Sequence, residues 1–177
     1  MESLPSGIQY RHWPVDDAKA CVLLAHGLAE HTGRYEHVAA RFNERGVAVV
    51  GPDHRGHGAS PGARVYLKSF SEYLEPMQAL RARIDEWYPE RPVFLMGHSM
   101  GGLIGAHLLL ASQAAFQGAM LSGPAFHAVD PAPAPLLWVG RVLKKVLPKL
   151  GMVVLRRKWR EPRPGGRGRL PCRPSGL

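Results

Sequence analysis

Apolar positions along the chain gather into short dense runs separated by amphipathic stretches. Ala20–Ala25, Val47–Val50, Val93–Met96 and Gly118–Leu121 are compact apolar runs, each ending at or near glycine, which predicts four buried strands. Ile8, Tyr10 and His12 alternate with polar neighbours and predict an edge strand ahead of them. Between the runs the period lengthens. Tyr35–Arg45 reads as a helix with Val38 and Phe42 on one face and Gly46 as its stop. Ser69 and Glu72 have capping-box spacing and predict a helix running to about Trp87, with Pro76 absorbed near its first turns or kinking it. Met100–Ala111 predicts a third helix.

Strands alternating with helices give an α/β class: a doubly wound, mostly parallel sheet. The pattern changes after Pro124. Residues 130–135 are rich in Pro and Ala, and Leu136, Val139, Leu143, Val146 and Leu150 then recur at helical spacing, opposite Arg141, Lys144 and Lys145. From Arg156 the text is mostly Arg, Pro and Gly, with almost no apolar content. The expected organisation is a core over 1–128, a helical segment over 129–155 and a disordered basic tail over 156–177.

Composition adds exclusions. With 177 residues, 45% apolar and 21% charged, the chain suits one globular domain. No stretch approaches the roughly 20 apolar residues that span a bilayer, and the first residues carry no signal-peptide pattern. Two cysteines, Cys21 and Cys172, are too few for a disulfide framework. A cytoplasmic location is expected, with peripheral contact at a membrane. The net charge of +9 suggests nucleic acid, but eight of the 23 Lys/Arg lie in residues 156–177 against one Glu. The excess belongs to the tail, which lacks aromatic interleaving beyond Trp159, and this argues against a nucleic-acid role.

Gly97-His98-Ser99-Met100-Gly101 is a G-x-S-x-G motif placed after a predicted strand and before a predicted helix. That context is the one a nucleophile elbow needs: a turn so tight that small residues must flank the serine. Ser99 then stands at a helix N-terminus, where the Met100 N–H can face a developing oxyanion. His26-Gly27-Leu28 follows an earlier strand, and the Leu28 N–H can supply the second donor. His54 and His57 have an H-x-x-H look. A metal would need further ligands and the nearby carboxylates do not cluster, so neither a metal nor a cofactor is expected.

Three segments together resemble one family. His26-Gly27-Leu28-Ala29-Glu30-His31-Thr32-Gly33-Arg34-Tyr35 resembles the H-G-x-x-E-H-x-x-R-Y segment of monoacylglycerol lipase-like α/β-hydrolases, which are grouped with the serine aminopeptidase-like hydrolases. Asp53–Ser60 resembles their D-x-R-G-x-G-x-S loop, and Gly97–Gly102 their G-H-S-M-G-G elbow. The resemblance covers about Ile8 to Val154. It implies an α/β-hydrolase fold, of which this chain carries the N-terminal part of the sheet and the start of a helical lid. It implies Ser99 as nucleophile of an acyl-enzyme mechanism, with Leu28 and Met100 as oxyanion donors. His98 and Arg34 would line the polar end of a pocket for a small acyl ester or monoacylglycerol, with Glu30 and His31 behind them. A satisfied loop histidine competes with that role for His98, and a structural ion pair competes with it for Arg34 and Glu30. The resemblance also implies that Asp53 and Arg55 make local hydrogen bonds in a structural loop.

One part of the pattern is absent. In this fold the triad runs in the order Ser, acid, His, yet after Ser99 the only acids are Asp130 and Glu161 and the only histidines His107 and His127. No histidine follows either acid, so the order cannot be completed. The expectation is a C-terminally truncated member of the family, inactive as it stands, with an unpaired strand edge that favours self-association. The face at Leu136–Leu150, with the basic tail, predicts weak contact with an anionic membrane surface. Lysophospholipase and peptidase activities stay open on the same scaffold. A second reading is a non-catalytic hydrolase-fold fragment or a basic-tailed interaction protein.

Overall fold

The computed structural model describes residues 1–126. His127, the segment over 129–155 with its amphipathic face, and the basic tail over 156–177 lie outside the described residues.

Among the described residues, six strands form one sheet in the order β1-β2-β4-β3-β5-β6. They are β1 Glu2–Ser3, β2 Gln9–Trp13, β3 Ala20–Ala25, β4 Val47–Pro52, β5 Val93–His98 and β6 Gly118–Ser122. β3 runs parallel to both β4 and β5, and β5 runs parallel to β6, whereas β2 pairs antiparallel with β1 and β4. Three helices connect the strands: α1 Glu36–Asn43, α2 Ser71–Trp87 and α3 Met100–Ser112.

The continuous apolar runs have a direct cause. All six residues of β3 are buried because both faces of the sheet are covered. Cys21, Leu23 and Ala25 point into a core shared with Met77, Leu80 and Ile84 of α2 and Ile104 and Leu108 of α3. Val22 and Leu24 alternate to the other face, where Ala39, Val38 and Phe42 of α1 close a smaller core with Tyr35.

Two expectations need correction, those for β2 and β6. β2 is not the outermost strand, because β1 pairs with Gln9 and Tyr10 on its outer side. The helix expected over Tyr35–Arg45 is α1, preceded by a 3-10 turn at Thr32–Tyr35. At the start of α2 the Ser69 and Glu72 pair engages as its spacing predicts: the Ser71 N–H donates to Ser69 Oγ at 3.3 Å, and Glu72 Oε1 accepts from the N–H groups of Ser69 (3.2 Å) and Lys68 (2.8 Å). The helix runs on through buried Pro76. Finally, β6 has the residues of a buried strand, but Ala119, Met120 and Ser122 are exposed and none of its residues is buried. Among the described residues it pairs with β5 alone.

Candidate active site

Parallel pairing decides where the chemistry gathers. Ala25 of β3 lies in register with Gly97 of β5, so the loops leaving both strands emerge side by side at the C-terminal edge of the sheet.

The elbow leaves β5. Ser99 is held at φ 52°, ψ −114°, a left-handed conformation that costs a non-glycine residue on the order of 1–3 kcal/mol. Backbone hydrogen bonds over-determine it. The Ser99 N–H donates to the Ser122 carbonyl at 3.0 Å, and the Ser99 carbonyl accepts from Gly102 (3.0 Å), Leu103 (3.3 Å) and Ala125 (3.0 Å). The flanking glycines are required by closeness. A Cβ on Gly97 would sit 2.4 Å from the Gly101 carbonyl oxygen, and one on Gly101 would sit 2.0 Å from that of Ala25 and 2.7 Å from that of His26. The N-terminus of α3 is therefore packed directly on the peptides that begin the loop after β3.

That loop is built from polar clamps. Glu30 is half-buried, and its Oε2 accepts from the Gly27 N–H at 3.0 Å and from Tyr35 Oη at 2.8 Å. Its Oε1 lies 3.6 Å from Nε of the mostly exposed Arg34. Burial pushes the Glu30 carboxyl up, but the Tyr35 and Gly27 hydrogen bonds and the Arg34 charge outweigh it and leave the group below its ordinary value. Further along, Asp53 Oδ1 accepts from both the N–H (2.8 Å) and Oγ1 (2.6 Å) of Thr32, and Oδ2 accepts from the Ala59 N–H at 2.9 Å. Burial raises the Asp53 carboxyl and these donors more than offset it. Arg55 reaches Glu72 of α2 at 3.1 Å.

The residues singled out from sequence fall into two groups. Ser99, Met100, His98 and the loop carrying Leu28, Glu30, His31 and Arg34 meet at this edge. His98 lies beside Gly27, and its Nδ1 is 3.1 Å from the Ser122 carbonyl oxygen, so it sits between the loop and the end of β6. Leu28 is exposed, as is His31, which flanks the 3-10 turn. His107, exposed on the outer face of α3, stands apart, its ring 4.7 Å from that of Phe70. His54 and His57 are both buried, with ring centroids 4.3 and 5.4 Å from that of His26. Sequence reading assigned no role to His26, Thr32, Tyr35 or Ser122. His26 and Thr32 could have been suspected, as polar residues inside a motif whose other polar members had been given work.

The family now follows from sequence and fold together. Residues 16–168 match the family described as serine aminopeptidase, S33. The chain belongs to this hydrolase family. The chain is similar to a monoacylglycerol lipase of Mycolicibacterium smegmatis, 42% identical over 142 residues that make up 80% of this chain and 51% of that protein. The human monoglyceride lipase is 35% identical over 145 residues, 80% of this chain and 48% of that one. Among solved structures, the crystal structure of Paleococcus ferrophilus monoacylglycerol lipase superposes with a TM-score of 0.68 at 28% identity, covering 80% of this chain and 52% of that chain. The architecture is thus the α/β-hydrolase fold, and this S33 hydrolase chain spans about half the length of the curated relatives it matches.

Proposed function

We propose that these residues carry the nucleophile and oxyanion side of a serine ester hydrolase acting on monoacylglycerols or similar small acyl esters. The observation that carries the reading is Ser99, held in a strained turn between β5 and α3, with the Gly101 backbone packed on Ala25 and His26. Ser99 Oγ attacks the ester carbonyl carbon, and the Leu28 and Met100 N–H groups receive the negative charge that develops on its oxygen. The C–O bond to the alcohol then breaks, and the alcohol leaves carrying the proton that Ser99 gave up. The acyl-enzyme that remains is hydrolysed by water, which releases the acid and frees Ser99. His98 and Arg34 face the alcohol, and Glu30 and His31 hold the loop behind them. The names of the relatives support acylglycerol as the substrate class.

The proton of Ser99 needs a base, and within residues 1–177 no histidine follows an acid after Ser99. We infer that turnover by these residues alone is slow, with about 10³–10⁴ over water left from oxyanion stabilisation and binding. Incubation with a fluorophosphonate ester followed by peptide mass spectrometry tests the reading. Slow labelling confined to Ser99 and absent in Ser99→Ala is expected, together with weak hydrolysis of p-nitrophenyl butyrate. Labelling elsewhere, or none in wild type, refutes the nucleophile. Robust Ser99-dependent turnover refutes the missing base.

A further inference from the structure

Among the buried polar groups that the proposed mechanism leaves without work, His26 has both ring nitrogens engaged by backbone. Its ring is fully enclosed. Nδ1 lies 2.8 Å from the Gly27 carbonyl oxygen, and Nε2 lies 3.0 Å from the His54 backbone nitrogen, which can only donate. A carbonyl must receive a hydrogen and an N–H must give one. The pair of contacts therefore fixes the proton on Nδ1 and the lone pair on Nε2.

The Gly27 carbonyl belongs to the peptide plane whose N–H is that of Leu28. In a trans peptide these two groups point in opposite directions, so pinning one aims the other. The Gly27 oxygen also accepts from the Glu30 N–H at 3.3 Å, while the Gly27 N–H is held by the Glu30 carboxylate. The plane is gripped on its carbonyl side and left free on its N–H side. We propose that His26 is a positioning residue which, as the neutral Nδ1–H tautomer, ties the Gly27–Leu28 peptide to the His54 backbone and aims the Leu28 N–H at the oxyanion. This rests on the oxyanion role given above to Leu28.

The surroundings keep the ring neutral. The imidazoles of His54 and His57 pack against it, Tyr73 of α2 lies over both of those, and the carboxylates of Asp53 and Glu30 lie nearby, already engaged by their own donors. Burial first, and the neighbouring imidazole of His57 to a lesser degree, lower His26 to about 4 despite the Gly27 hydrogen bond and the two carboxylates.

The test uses the 177-residue chain with His26→Ala and His26→Asn, because the Asn amide can donate from the Nδ1 position but does not reach the His54 N–H. Long-range ¹H–¹⁵N spectra at pH 7 should show wild-type His26 neutral with its proton on Nδ1. Hydrogen exchange at the His54 amide should accelerate about tenfold or more in both variants, while Leu23 and Val50 stay protected. Fluorophosphonate labelling of Ser99 should slow about tenfold or more in His26→Ala and recover most of that loss in His26→Asn. A residue that only filled space would make exchange and labelling move together. A proton on Nε2, or labelling in the Asn variant that tracks the Ala variant, overturns the proposal. Should His26→Ala lose protection at Leu23 and Val50, the wild-type tautomer and the Asn variant decide. Absence of wild-type labelling at Ser99 refutes the hydrolase reading instead; the proton position and His54 exchange then decide whether His26 forms the tie.

Discussion

Two loops meet at the sheet edge, and they are held by opposite means. The elbow around Ser99 depends on side chains that are missing: Gly97 and Gly101 approach neighbouring carbonyl oxygens so closely that no Cβ fits, and backbone hydrogen bonds carry the strain. The loop from His26 to Tyr35 depends on side chains that are present: His26, Glu30, Thr32, Tyr35 and Asp53 hold it through hydrogen bonds. One site is therefore intolerant of size, and the other is intolerant of lost polarity or altered protonation. On the proposed function, placing the nucleophile and placing the oxyanion donor are separate problems, met here by separate chemistry.

Breaking the elbow by size should have the largest effect. Gly101→Ala drives a Cβ to 2.0 Å from a backbone oxygen that cannot rotate away. A loss of at least about 4 kcal/mol, or failure to fold, is expected in urea unfolding followed by tryptophan fluorescence. Acid should break the loop instead. Between pH 6.5 and about 4 an unfolded His26 binds a proton that the folded residue refuses, so stability falls as pH falls, and the share due to His26 levels off below about 4. The difference amounts to about 3 kcal/mol. His54 is shifted the same way by burial, and Asp53 and Glu30, held below their ordinary values, add losses of the same sign at lower pH. Urea midpoints measured from pH 7 to pH 4 check this, and His26→Asn should flatten the upper part of the curve.

Asp53→Ala sharpens the contrast, because it leaves the Thr32 N–H, the Thr32 hydroxyl and the Ala59 N–H without their acceptor. A cost of about 2–3 kcal/mol is expected in the same unfolding assay, with Ser99 still in its turn. The smallest effect runs the other way. Ser99→Gly removes the penalty of a left-handed non-glycine residue and should stabilise the chain by about 1 kcal/mol while abolishing fluorophosphonate labelling. A thermal melt of Ser99→Gly beside Ser99→Ala separates relief of strain from loss of the hydroxyl, since only the glycine relaxes the backbone.

Much of the arrangement can be read from local text. The runs at Ala20–Ala25, Val47–Val50 and Val93–Met96 became strands because a sheet covered on both faces requires apolar residues at consecutive positions. The elbow was legible because a short turn constrains residues close in sequence: Gly97, Ser99 and Gly101 stand within five positions. Burial of β6 was not legible, since Gly118–Ser122 has the same kind of text as β3 and only the number of neighbours distinguishes them. The edge position of β2 failed for the same reason, as pairing with β1 belongs to the other strand.

The sequence by itself determined the order of strands and helices, the serine in its small-residue turn, and the polar residues available to the loop after β3. Tertiary structure alone decided which of those polar residues meet. His26 reaches the His54 amide across 28 positions, Thr32 reaches Asp53 across 21, and Gly101 packs on Ala25 because β3 and β5 lie in parallel register. The physical reason is range. A turn or a periodic face is fixed by neighbours within a few residues, whereas a hydrogen bond between two loops exists only after the strands that carry them have paired.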